Sequence, residues 1–150
     1  MAPVDGLSDD AIRDILTRVR TVAMVGASPN PERPSNGVLG FLAGRGYEVW
    51  PINPGHAGAL IHGRPVSARL ADVPVPIDMV DVFRNSDAAG GVVDDALKLD
   101  PPPRVIWMQL GIVNEEAAER ARARGVTVVM NRCPHIETGR LLRRRESPQA

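Results

Sequence analysis

Gly26, Ala27 and Ser28, followed within eight residues by Arg33, Ser35 and Asn36, form the sequence's plainest collection of groups for holding an anion. A glycine turn that leads into a helix start offers unpaired backbone N–H groups and the positive end of a helix dipole, a natural seat for phosphate. Arg33 adds a forked cation matched to phosphate oxygens, and Ser28, Ser35 and Asn36 add donors. Prolines at 29, 31 and 34 hold the loop in few conformations, which lowers the entropy lost on binding. The alternative is a proline-rich surface connection with a solvated arginine, and the residues of this loop alone leave both readings open.

The familiar nucleotide fingerprints are missing. A nicotinamide-dinucleotide turn needs Gly-x-Gly-x-x-Gly and an acid after the next strand. Here Ser28 and Pro31 stand where glycines belong, and the corresponding strand tip reads Asn53-Pro54-Gly55. An NAD(P)-linked enzyme therefore remains only as the competing function class. No Gly-Lys-Ser/Thr follows the glycine, so an ATPase-type phosphate loop is absent as well.

Other reactive residues have bland readings beside the sharp ones. His56, His62 and His135 lack the spacing of a metal site, and no metal is expected. Cys133 is read either as a small buried apolar residue or as a thiol activated near a helix start. Asp78 and Asp81 fall within a strand run and are expected in caps or turn contacts. Trp50 and Trp107 are expected in a core or interface. Nothing in the sequence pairs a nucleophile with a poised base, so no catalytic residue is assigned.

Strands alternating with single helices must position these groups. Ser8 is expected to cap a helix whose Ile12, Ile15, Leu16 and Val19 share one face. Thr21–Gly26 reads as a buried strand, and Ser35 or Asn36 as the cap of a helix carrying Val38, Leu39, Phe41 and Leu42. Tyr47–Asn53 is the second strand. A looser stretch follows, with an extended piece near Arg64–Val66 and a helical turn around Ser67–Ala71. Ile77–Phe83, Arg104–Leu110 and Val126–Met130 are further strands. Ser86 is expected to cap a helix through Lys98 with Val92, Val93, Ala96 and Leu97 inward, and Asn114 to open a helix that reaches Arg124. A last short helix covers roughly Pro134–Arg143.

This alternation predicts a single Rossmann-like α/β domain, a doubly wound parallel sheet with helices on both faces. Residues 1–20 are expected to pack as an N-terminal helix on the domain, 21–137 to form it, and 138–150 to end in a helix and polar tail. In such sheets ligands bind beyond the carboxyl ends of the strands, at the topological switch point.

Composition narrows the partners. The chain has 150 residues, 43% hydrophobic, enough for one real core. Lys+Arg and Asp+Glu are both 18, a neutral balance that gives no support for nucleic-acid or membrane binding. The basic run Arg140–Arg145 is expected to stay solvated at a helix end. A lone cysteine excludes an internal disulfide and points to a reducing compartment. With an acidic start and no long apolar run, neither a signal peptide nor a membrane span is expected, and the cytoplasm is the expected location.

The ordered set VAMVGAS-PNPERPS, EVWPINP, DMVDVFR, VIWMQLGIVNEEA and VVMNRCP resembles the stand-alone CoA-binding domain proteins. These are similar to the CoA-binding, nucleotide-binding half of the succinyl-CoA synthetase α subunit. The resemblance spans Thr21 to Glu137. It implies coenzyme A, free or acylated, as the ligand, with its diphosphate and ribose over Gly26–Ser28. It places Asn53, Pro54 and His56 at a CoA-contacting turn and Phe83 and Arg84 by the adenine or crevice wall. Met108, Gln109 and Leu110 fall along the pantetheine arm, and Asn131 and Cys133 near the thiol end, where Cys133 would meet the CoA thiol. Unlike the synthetases, the chain stops at Ala150 without the domain that carries their phosphorylated histidine. Binding without catalysis is therefore the expectation. Whether the chain acts alone, as a homo-oligomer or as a non-catalytic subunit of an acyl-CoA enzyme is left open.

Overall fold

The computed structural model describes residues 3–142. Five parallel strands, β1 (Thr21–Val25), β2 (Glu48–Ile52), β5 (Met79–Val82), β6 (Val105–Met108) and β7 (Thr127–Val129), form one sheet in the order β2-β1-β5-β6-β7. A hairpin of β3 (Leu60–Ile61) and β4 (Arg64–Pro65) stands apart from it. The chain moves outward from β1 to β2, then returns to the other side of β1 for β5. This is the arrangement whose switch point lies between β1 and β5.

Side chains alternate across the sheet because successive strand residues point to opposite faces. Val22, Met24, Met79, Trp107 and Val129 pack under helices α1 (Asp9–Arg18), α2 (Pro34–Gly44) and α5 (Pro134–Leu141). Ala23, Val25, Val80, Val82, Ile106 and Met108 pack under α3 (Ser86–Leu97) and α4 (Glu115–Ala123). The doubly wound α/β architecture expected from the alternation is the one observed. The second core is built from Ala89, Ala96, Ala117, Ala118 and Ala121, small residues that let α3 and α4 lie close together and to the sheet.

Several helix starts differ from the sequence reading. Ser8 does cap α1, accepting from the Ala11 N–H at 3.1 Å. Asn85, not Ser86, caps α3, because its carboxamide reaches the Ala88 N–H at 2.8 Å. Ser86 instead accepts from the Val113 N–H at 3.0 Å and so ties α3 to the loop before α4. Arg33, not Ser35 or Asn36, stands at the cap of α2, where Pro34 opens the helix and no side chain caps it. Asn114 caps α4 as expected.

In the looser stretch after β2, the extended piece expected near Arg64–Val66 is β4, which pairs with the unforeseen β3, and a short 3-10 turn at Leu70–Asp72 stands in place of the helical turn at 67–71. Residues 143–150 lie outside the described residues, and with them the end of the expected last helix and the basic residues Arg143–Arg145. Arg140 is described: it is exposed, as expected of a solvated charge, and it also pairs with Glu137 at 3.0 Å and with Asp9 at 2.8 Å.

A candidate ligand cleft at the β1/β5 switch point

Gly26 ends β1 with φ +92°, a conformation that favours glycine. A Cβ there would stand 2.5 Å from the Phe83 carbonyl oxygen, so only glycine lets the two strand tips close at the switch point. Beyond this tip lies a cleft of about 860 Å³, within the range of small-molecule sites. Gly26, Ser28 and Asn53 line it, together with Arg33 at the cap of α2 and with Pro34, Ser35 and Val38 of that helix. Phe83, Arg84 and Asn85 line it as well, as do Gln109, Leu110, Ile112 and Cys133. His56 stands at the rim.

The first loop is held by its own side chains. Ser35 Oγ accepts from the Ser28 N–H at 3.1 Å, and the Asn36 amide donates to the Ser28 carbonyl at 3.1 Å. Asn53 reaches across from β2 to donate to the Ala27 carbonyl at 2.9 Å, while its own oxygen receives the Gly55 N–H at 2.9 Å. His62 Nε2 lies 3.0 Å from both oxygens of Asn36 and buttresses it from the hairpin. Polar residues that could have capped α2 are thus spent on the loop. The first turn of α2 borders the cleft with no side-chain cap. Pro34 has no N–H and the Asn36 N–H bonds the Arg33 carbonyl at 3.0 Å, so the Ser35 N–H is the one left for an anion among the described residues.

Arg33 and Arg84 are exposed on the cleft wall and form no ion pair among the described residues. Below them lies the buried carboxyl of Asp81. It is fully enclosed on β5, and one oxygen accepts from Gln109 Nε2 at 2.7 Å while the other has no partner among the described residues. Burial pushes its pKa up to about 7, against the Gln109 hydrogen bond, which pulls it down. The cap or turn contact expected of Asp81 is therefore corrected: its strand position turns it into the core. Asp78 does serve backbone, accepting from the Arg20 and Thr21 N–H groups at 2.9 and 3.0 Å.

Eleven of the sixteen residues singled out from the sequence meet on the cleft wall: Gly26, Ser28, Arg33, Ser35, Asn53, His56, Phe83, Arg84, Gln109, Leu110 and Cys133. The other five stand elsewhere. Ala27 and Met108 are buried in the two cores, and Asn36 is turned toward Ser28. Pro54 opens a 3-10 turn behind the rim. Asn131, at φ +59°, accepts from the Gly111 N–H at 2.7 Å and lines a neighbouring groove with Leu110 and Ile136. Sequence reasoning missed Asn85, Val38 and Ile112. The signal for Asn85 was its place directly before Ser86, where Asn is an equally good cap.

Arg132 was also unread as a structural centre. Its guanidinium is buried and pairs with Asp5 at 2.9 Å and Glu137 at 2.7 Å, and it donates to the Leu7 carbonyl at 2.9 Å. Burial raises the Asp5 carboxyl, but the Arg132 hydrogen bond and the Leu7 and Met130 N–H groups outweigh it and hold it low. Glu137 is likewise held low, by Arg140 and Arg132 against burial. Trp107 adds a bond from its indole N–H to the Arg132 carbonyl at 2.8 Å. His135 stacks on Phe41 with ring centres 3.7 Å apart, joining α5 to α2.

Among the described residues, no group of three metal-binding side chains gathers, and no helix is long and apolar enough to cross a membrane. Residues 20–139 match the family model of a CoA binding domain. The chain is 40% identical over 122 residues to the Bacillus subtilis (strain 168) protein YneT, covering 81% of this chain and 87% of that one. A hypothetical protein from Pyrococcus horikoshii OT3 superposes with a TM-score of 0.88 at 39% identity, covering 95% of this chain and 98% of its own. Part of a dinucleotide forming acetyl-coenzyme A synthetase 1 from Ca. Korarchaeum cryptofilum matches with a TM-score of 0.64 at 27% identity, covering 77% of this chain but 26% of the larger one. A match over most of its length to that model, joined to this fold, places the chain in the CoA-binding domain family.

Proposed function

We propose that this protein binds coenzyme A, free or acylated, in the β1/β5 cleft and catalyses no reaction of its own. The observation that carries the reading is the uncapped start of α2 facing a switch-point cleft beside Arg33 and Arg84, two arginines without an ion pair among the described residues. These are the groups a diphosphate needs, and they sit where a ligand enters this fold.

On this reading the diphosphate lies over Gly26–Ser28 and the α2 start, held by Arg33. Phe83 and Arg84 offer an aromatic face and a cation to the adenosine end. The pantetheine arm runs past Gln109 and Leu110, and its thiol ends toward Cys133. Support for binding without chemistry comes from the hydrogen bonding of the wall. Ser35 and Ser28 are engaged with loop N–H groups, and neither they nor Cys133 has a hydrogen-bonded histidine or carboxylate among the described residues. The cytoplasm is the compartment this reading proposes.

Calorimetric titration with CoA, acetyl-CoA, NAD and NADP tests it. CoA or its acyl form is expected to bind most tightly. A dinucleotide that binds more tightly than either would overturn the reading.

A further inference from the structure

A buried carboxyl with one partner costs folding free energy that an apolar side chain of the same size would not. Asp81 is such a group. It sits in register with Met24 of β1 and Trp107 of β6, on the face covered by α1, α2 and α5. Among the described residues its sole side-chain hydrogen bond is the 2.7 Å contact from Gln109 Nε2, and its second oxygen has none. Gln109 follows β6 and lines the cleft. An ionised carboxylate only accepts, so it fixes which end of the Gln109 amide points inward. One N–H of the amide nitrogen is committed to Asp81, and the amide oxygen, turned away from it, is left to accept from the cleft.

We propose that Asp81 is a positioning residue acting through Gln109, holding its amide so that the cleft presents an acceptor and selects a ligand with an N–H at that point. The inference rests on the reading of CoA in this cleft, where the amides of the pantetheine arm supply such a donor. A protonated Asp81 gains a hydrogen that it can give to the Gln109 oxygen, which reverses the amide and presents a donor instead. Affinity for the arm therefore rises with pH as Asp81 ionises. The other titratable groups on this face are engaged elsewhere: His62 with Asn36, Tyr47 with the Leu16 carbonyl, His135 with Phe41, and Arg132 with Asp5 and Glu137. On the same elements Arg13 pairs with Asp10, Arg18 with Asp14, and Arg140 with Asp9 and Glu137. Arg45 follows α2, Arg33 and Arg84 are exposed on the cleft wall, and Cys133, which precedes α5, is buried in the same core.

The test uses Asp81→Leu and Asp81→Asn with two probes, CoA and adenosine 3′,5′-bisphosphate, which lacks the arm. Asp81→Leu is expected to raise the Tm, since it removes a buried polar group, yet to weaken CoA roughly tenfold, the scale of one charge-assisted hydrogen bond. Binding of the bisphosphate should not change. Asp81→Asn keeps an accepting oxygen; it should recover most of the lost affinity but lose the rise in CoA affinity between pH 6 and 8 that wild type shows beyond the bisphosphate's own. Wild-type CoA affinity in Asp81→Leu, equal weakening of both probes, or an unchanged pH profile in Asp81→Asn would overturn the positioning role. Failure of the wild type to bind CoA would sink the CoA reading itself, a distinct result.

Discussion

Arg132 and Arg33 show two uses of the same side chain. Arg132 is buried beside the β7 tip and spends its donors on Asp5, Glu137 and the Leu7 carbonyl, which ties the N-terminal segment to α5. Arg33 is exposed at the start of α2, and no acid of the described chain answers it. The first is closed upon itself and the second is open. A charge satisfied by its own chain holds the scaffold, whereas one left on a cleft wall is available to a ligand.

Four substitutions or conditions can break or sharpen this contrast. Arg132→Met strands the buried Asp5 carboxylate and leaves Glu137 with Arg140 alone; it should destabilise the fold by about 3–5 kcal/mol, the cost of removing one partner from a buried ion pair. Denaturant unfolding measures it, and a loss no larger than that of a surface substitution would refute the closed role. The same cluster should respond to acid. Asp5 and Glu137 have folded pKa values below their unfolded ones, so their stabilisation is complete above the ordinary carboxyl range and is lost as pH falls through the folded values. Thermal melts from pH 7 down to 3 should show this loss in wild type and a much smaller one in Arg132→Met.

At the open site the effect moves from stability to binding. Arg33→Glu should weaken CoA by about 1–3 kcal/mol in calorimetry and leave the melting temperature unchanged. Unchanged affinity would remove Arg33 from the site. The smallest effect is expected of Ser35→Ala, which frees the Ser28 N–H and should cost about 1 kcal/mol of stability. It also loosens the loop, so CoA affinity should fall slightly with it. A binding loss larger than that of Arg33→Glu would mean that Ser35 meets the ligand directly.

Much of the fold was legible because each apolar run is short, bounded and separated from the next by a helix-length amphipathic stretch. Ile12, Ile15 and Leu16 on α1, and Val92, Val93 and Ala96 on α3, face their cores as the spacing requires. The caps were less legible. At Asn85-Ser86 and across Arg33 to Asn36 adjacent residues compete, and the choice depends on partners distant in sequence: Val113 for Ser86, Ser28 for Ser35 and Asn36. Of the hairpin at Leu60–Pro65, the second strand was legible as an extended piece near Arg64–Val66, but its partner β3 and their pairing were missed because two-residue strands carry no periodicity. Most of the candidate wall was readable, since ligand groups in this architecture follow strand ends. Met108 and Ala27 fell outside it because a residue one place along a strand or turn points into the core instead.

The sequence by itself determined the parallel α/β architecture, the glycine turn after β1 and the absence of a dinucleotide fingerprint. These depend on local patterns: period, turn chemistry and spacing. Tertiary structure alone decided that Gly26 must be glycine because Phe83 crowds it, that Arg132 is internally neutralised while Arg33 is not, and that Asp81 lies beneath Gln109. Each depends on groups brought together from different strands. Sequence spacing cannot give their distance, because crossover connections fix strand order only when the sheet assembles.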